Sequence, residues 1–387
     1  MRLIAIEEHI LPLTVREAWA AAPGPRDPTS AAADGGDNEQ RLADLDEGRL
    51  ALMDEQGVDV QVLSLTTPGL HNLAPDTARN MAQRVNDLIA QTCARHPDRF
   101  QGFAALPTPD PDAAPHELER AVRELGLKGA LVCGRTRERH LDHPALRPML
   151  ARAAELQVPI FIHPQTPLAA VREANYSGIG ETADLALAAL GLGWHYEAGL
   201  QWVRLAAAGV FDELPDLQII LGHWGEVVLF YLERMSPVFE RTLNLRRTFT
   251  DYARDNLYVT GSGMWSETYL RRCLDIVGPE RLLFSTDFPY QYKPGGAPRR
   301  FVEEVSFDDA ARAGFAHGNW ERLIRNGGLG YRSLRLRFRS PETPSSARQG
   351  IRAASGVFQQ PHVISDTMGA ADADQSSPFL GRVATRS

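Results

Sequence analysis

Cysteine is scarce in this 387-residue chain: Cys93, Cys133 and Cys273 lie far apart and form no CxxC pair. So sparse and odd a set excludes a disulfide framework and reads as reduced intracellular thiols. Lysine is scarcer still. Lys128 and Lys293 stand alone among 41 basic residues, the rest being arginine. With the abundance of Ala, Gly and Pro, that bias reads as high-GC codon usage, and a net charge of −8 gives no support to nucleic-acid binding. No uninterrupted apolar run approaches the ~20 residues needed to span a bilayer. The N-terminal MRLIAIEEHILPL carries Glu7, Glu8 and His9 where a signal peptide would be apolar. The expectation is a soluble, cytoplasmic protein with neither membrane nor nucleic acid as partner. Absent too are a GxGxxG after the first apolar segment and any GxxxxGKS/T, which removes the signatures of nucleotide-binding open sheets.

What is present is apolar residues, 43% of the chain with six Trp, enough for a large packed core. Short apolar runs bounded by Gly, Pro or polar turns read as strands over Leu3–Ile6, Val58–Leu65, Gly102–Leu106, Gly129–Val132, Val158–Ile162, Gln218–Leu221, Leu257–Thr260 and Arg281–Phe284. Several are apolar throughout, as parallel strands buried on both faces are. Between them lie helical patterns such as LADLDEGRLALMDEQG, with Leu42, Leu45, Leu50 and Met53 on one side and Gly57 as a stop. Eight strands alternating with helices predict an α/β fold, a (β/α)8 TIM barrel with long loops at its C-terminal face.

Chemistry in such barrels sits at the C-terminal strand ends. The first strand ends in Glu7-Glu8-His9, the fifth in His163, the sixth in His223 and the eighth in Asp287. Glu7 and His9 are two apart and share one face of an extended segment, leaving Glu8 to face outward. Carboxylates and imidazoles then converge from strands distant in sequence, a mixed N/O set suited to one divalent ion, Zn²⁺ or Mn²⁺. On this facing, His9→Ala and Asp287→Asn abolish activity while Glu8→Gln leaves most of it. Each residue has a plainer reading: His163 as a hydrogen-bonded core histidine, Asp287 as a turn cap, His223 as a helix-entry residue in LGHWGE. Only their joint placement makes a site. His195, in GWHYE, opens a long helix and supports the site from behind; His71, His96, His116, His140 and His143 read as solvated.

The segments IAIEEH, HPDRFQGFAALPTPDPDAA, FIHPQTP, GVFDELPDLQIILGHWGE, RLLFSTDFPY and AHGNWERL together resemble the amidohydrolase-related family, with its γ-resorcylate, 5-carboxyvanillate and aminocarboxymuconate semialdehyde decarboxylases, from Met1 to about Arg325. The resemblance implies Glu7, His9, His163 and Asp287 as metal ligands. It implies His223 as the catalytic histidine, Glu226 as its carboxylate partner and Arg234 as a contact of the substrate carboxylate. The Glu-x-His of the first strand matches the resorcylate type and departs from the His-x-His of the aminocarboxymuconate enzyme. The implied activity is nonoxidative decarboxylation of a small aromatic or related unsaturated carboxylic acid, by a homo-oligomer (dimer or tetramer). The alternative on the same scaffold is hydrolysis of a lactone or amide. Trp19, His71, Trp224 and Tyr290 are candidates for the pocket wall.

Two loops and a tail complete the reading. AAAPGPRDPTSAAADGGDNEQ, after the first strand, has too little apolar pattern for a core element and reads as a surface loop at the barrel mouth. TDFPYQYKPGGAP, after the eighth, overhangs the metal. The barrel is assigned to residues 1–327. Residues 328–387, dense in Ser, Arg, Ala and Pro, read as a low-complexity disordered tail, as an accidental extension of a high-GC gene, or as a segment docking on a neighbouring subunit.

Overall fold

In the computed structural model, which describes residues 1–325, eight strands run parallel in chain order. They are β1 (Ile4–Ile10), β2 (Val60–Leu65), β3 (Phe100–Gly102, continuing after Phe103 as Ala104–Ala105), β4 (Ala130–Val132), β5 (Ile160–Ile162), β6 (Ile219–Leu221), β7 (Leu257–Thr260) and β8 (Leu282–Leu283). The break in β3 is bridged by Phe103 N–H donating to Leu63 O at 2.9 Å and Ala104 N–H donating to Gly129 O at 2.8 Å. Closure comes from Ile6 N–H to Phe284 O at 3.0 Å and His9 N–H to Phe288 O at 2.8 Å. The ring has no free edge, and the expected TIM barrel is what forms.

Alternation along the strands divides the core in two. Ile4, Ile6, Val60, Val62, Phe103, Leu131, Phe161, Ile220 and Leu283 fill the barrel, and Trp320 of the helix Asn319–Arg325 closes it beside Phe103. Their neighbours Leu3, Ala5, Leu63, Ala104, Val132, Ile160, Ile162, Ile219 and Leu221 face the surrounding helices. Among those helices are Glu47–Gln56, ended by Gly57 at φ +71°, and Pro75–Arg95, which begins on proline. No described helix is long and apolar enough to cross a membrane.

The segment after β1 is more ordered than its composition suggests. It forms a 3₁₀ turn over Pro28–Asp34 and a helix over Asn38–Ala43. Asp27 explains this: its carboxylate accepts from Thr29 N at 3.0 Å, Asn72 Nδ2 at 2.9 Å and Thr166 Oγ1 at 3.1 Å, tying three loops together. Burial opposes that charge, yet His71 and these donors hold Asp27 below the usual carboxylate range. His71 is not solvated as expected but buried, and burial pushes it down to about 4. Asp27→Asn replaces an acceptor of several bonds, each worth ~1.5–3 kcal/mol when charged. The expected result is a KM raised about tenfold with kcat little changed, since the segment lines the cavity described below. Steady-state kinetics, with limited proteolysis of the segment, check it. The expected tail over 328–387 lies outside the described residues.

Candidate metal centre and active site

Regular alternation from Ile4 and Ile6 would turn Glu8 into the barrel. It does not, because the register against β2 slips by one between Ala5 and Glu8. That bulge inserts an extra residue and reverses the parity, so Glu7 and His9 face inward and Glu8 outward.

Glu7, His9 and His163 are each held by one atom and present another. Glu7 Oε2 accepts from the hydroxyls of Ser262, Thr260 and Ser285, while Oε1 has no hydrogen-bond partner. His9 Nδ1 lies 3.2 Å from Ser64 Oγ, and its Nε2 is likewise without a hydrogen bond. His163 donates Nδ1–H to Pro164 O at 2.8 Å, which leaves Nε2 as an acceptor 3.8 Å from Glu7 Oε1. Asp287 Oδ1 lies 3.3 Å from His9 Nε2. One donor atom from each of Glu7, His9, His163 and Asp287 falls within 4.8 Å of all the others, and all four residues are buried.

Two orphaned, buried polar atoms aimed at one point fit a divalent cation, which supplies the partner each lacks. The electrostatics agree. Burial pushes Glu7 up to about 8, against the opposing effects of His223 and the Ser262 hydroxyl. Burial and the neighbouring His9 hold His163 well below the usual imidazole range, neutral as a metal ligand must be. The carbonyl behind His163 and the hydroxyls behind Glu7 and His9 fix the ligands' orientation, as outer partners of metal sites do.

Next to this cluster the backbone from His223 to Val227 is left-handed at every residue. Such φ values disfavour L-residues by roughly 1–2 kcal/mol each. The turn brings His223 Nδ1 within 2.6 Å of Glu226 Oε1. Gly222 precedes it because a Cβ there would meet Ser262 Oγ at 2.5 Å and Glu7 Oε1 at 3.2 Å. Burial acts against both charges, but the pair overcomes it: Glu226 is lowered to about 2 and His223 raised to about 10. His223 Nε2 then faces Asp287 Oδ2 at 4.0 Å.

A cavity of about 730 Å³ opens over these groups. His163, His223, Glu226 and Asp287 form its floor, Trp194, His195, Trp224 and Tyr290 its walls, and Leu190, Leu192, Phe230 and Tyr269 an apolar rim. Ala32 and Asn38 from the first loop and Gln291 from the last reach it, as the overhanging loops were expected to. Two expected wall residues do not. Trp19 packs elsewhere, donating Nε1–H to Gly69 O at 2.8 Å, and His71 lines a small separate cavity beside Cys133. Arg234 also departs from expectation: it is exposed on the helix Val228–Thr242 and is not among the lining residues. The arginine in the wall is Arg272, paired with Glu233 at 3.1 Å. Sequence reading missed Arg272 and the hydroxyls of Thr260, Ser262 and Ser285. The only signal for the latter was their position at the ends of β7 and β8.

Glu8 faces away from the cluster but not into solvent. It is fully buried, accepting from Thr286 N at 2.9 Å, Thr286 Oγ1 at 2.6 Å and Gln61 Nε2 at 3.0 Å. Burial pushes its carboxyl up to about 8 despite those donors and the nearby Arg49. Glu8→Gln is therefore not benign. An amide turned on the Thr286 donors leaves a buried mismatch of ~1–3 kcal/mol. We expect that loss in chemical denaturation, with a drop in kcat smaller than for Asp287→Asn.

A closed parallel barrel with this N/O cluster at its C-terminal strand ends defines a metal-dependent (β/α)8 enzyme. The amidohydrolase family model matches residues 8–325, and the chain belongs to that family. It is 36% identical over 347 residues to the gamma-resorcylate decarboxylase of Rhodococcus jostii (strain RHA1), covering 83% of this chain and 98% of that protein. The 5-carboxyvanillate decarboxylase of Sphingomonas paucimobilis superposes with a TM-score of 0.77 at 29% identity, covering 84% and 99%. A dihydroxybenzoic acid decarboxylase from Polaromonas sp. JS666, solved with manganese and 2-nitroresorcinol, gives a TM-score of 0.74 at 30% identity, covering 85% and 98%.

Proposed function

We propose that this chain is a metal-dependent nonoxidative carboxy-lyase acting on a small aromatic or related unsaturated carboxylic acid. The observation that carries the reading is the convergence of four ligand atoms, two of them without a hydrogen bond, and a His223–Glu226 pair around one cavity. The decarboxylase relatives matched over nearly their whole length support it against the hydrolase alternative.

Glu7, His9, His163 and Asp287 would hold one divalent ion, Zn²⁺ or Mn²⁺, which would supply positive charge to offset that of the substrate carboxylate. Trp194, Trp224 and Tyr290 confine the ring and narrow its orientations. Glu226 takes the Nδ1–H of His223, leaving Nε2 free to carry a proton at the cavity floor. That proton reaches the ring carbon bearing the carboxylate, directly or through Asp287 Oδ2. The carbon–carboxylate bond then breaks, its electron pair restores the aromatic ring, and CO2 leaves.

The catalytic unit is residues 1–327, with 328–387 an appendage. The three cysteines are free, in keeping with the cytoplasmic setting proposed for the enzyme, and a homodimer or homotetramer is proposed as its assembly. The decisive assay strips the protein with a chelator, restores Zn²⁺ or Mn²⁺, and offers hydroxybenzoates and lactones. CO2 release that vanishes with the metal and returns with it is expected. Lactone cleavage without CO2, or no turnover with any metal, refutes the reading.

A further inference from the structure

The second histidine–carboxylate cluster, His195 with His223 and Glu226, has the composition of a metal site. Its hydrogen bonds show otherwise. The Trp194 indole, which can only donate, gives its Nε1–H to His195 Nε2 at 3.0 Å. His195 Nε2 is therefore the acceptor and Nδ1 carries the ring proton, pointing at Glu226 Oε2 2.7 Å away. Glu226 thus receives one imidazole N–H on each oxygen, from His195 on Oε2 and from His223 on Oε1. We infer that His195 is a positioning residue for the His223–Glu226 pair: a neutral imidazole, its tautomer set by Trp194, that locks the Glu226 carboxylate so that His223 Nε2 is aimed into the cavity.

A second feature supports this. The helix Gly193–Ala207 carries Gly199 one turn after His195, and a Cβ there would lie 2.2 Å from the backbone oxygen of Glu226. A glycine inside a helix is destabilising relative to alanine, since it loses more backbone freedom on folding. Here it lets the helix press against the left-handed turn closely enough for His195 to reach the carboxylate. The two imidazoles also meet edge to face at 4.5 Å, so each ring restrains the other. Without His195, Glu226 Oε2 faces a cavity open to water, and the carboxylate is free to rotate and take His223 with it.

The proposal rests on the decarboxylase reading for its kinetic consequence but not for its structural one. In the Zn²⁺-loaded enzyme, His195→Ala is expected to lower kcat about 10- to 100-fold, as for loss of one charge-assisted hydrogen bond, with KM within about twofold. His195→Asn places an amide N–H near the Nδ1 position and recovers most of the loss; His195→Gln, whose amide lies near the Nε2 position, does not. Gly199→Ala, which moves the helix but removes no polar group, lowers kcat in the same way. Proton NMR of ¹⁵N-histidine-labelled protein gives a readout that needs no turnover. The downfield His223 Nδ1–H resonance of the wild type is expected to vanish into solvent exchange in His195→Ala and to persist in His195→Asn. A kcat for His195→Ala within about twofold of wild type, Asn and Gln variants that behave alike, or an unchanged His223 resonance each overturns the proposal. Should the wild type release no CO2 from any acid, the functional reading fails while the resonance still decides the role of His195.

Discussion

Asp287→Asn is expected to abolish CO2 release, with kcat falling about 10³-fold or more and the fold intact. Asp287 sits at φ +57°, where asparagine is among the few residues that substitute without added backbone strain. The change is therefore chemical. It removes the negative charge facing His9 Nε2 at 3.3 Å and the oxygen facing His223 Nε2 at 4.0 Å, so one substitution strikes both the metal cluster and the proton path. His9→Ala reaches the same end by a different route, deleting an Nε2 that nothing else in the cluster replaces. Metal content of the purified variants, measured beside CO2 release, separates the two: His9→Ala loses the ion, whereas Asp287→Asn retains part of it. Full activity in either variant would refute the assignment of the cluster.

Glu226→Gln is the second large effect. The carboxylate is fully buried and accepts from His195 and His223, and the amide has one oxygen for two donors. Breaking a buried charged pair by altering one partner costs ~3–5 kcal/mol, because the remaining charge is left uncompensated. His223 then loses the anion that raises it, and its imidazole is no longer oriented from behind. The expected outcome is a kcat lowered about 10²-fold or more with metal content near wild type, together with a fall in thermal stability. A variant with wild-type kcat would show that His223 needs no carboxylate behind it.

Much of the architecture is legible locally. Apolar runs such as Leu257–Thr260 and Ile160–Ile162 are strands because they are buried on both faces, and that burial writes continuous hydrophobicity into the chain. Their ends carry Glu7, His9, His163, His223 and Asp287 for the same reason that any barrel presents its chemistry there. The order within the loop after β1 is not legible in composition, because it comes from Asp27, whose partners Asn72 and Thr166 lie on other loops. Composition reports apolar content, not the reach of one carboxylate.

The Glu-x-His spacing by itself determined that Glu7 and His9 share a face and that Glu8 takes the other, since side chains in extended backbone alternate with a period of two. Which face is inward was decided by the bulge between Ala5 and Glu8, a matter of pairing with β2 that no local pattern encodes. Likewise the LGHWGE motif contains both members of the His223–Glu226 pair, but their contact depends on a left-handed turn braced against Thr260 at the end of the neighbouring β7 and Ser262 just after it. Arg234 stands outside the cavity and Arg272 in its wall because helix packing, not sequence proximity to His223, sets which side chains face the mouth. The scarce cysteines and lysines bounded the class of protein. Barrel closure, which brings residues some 280 positions apart into hydrogen-bonding distance at Glu8 and Thr286, built the site.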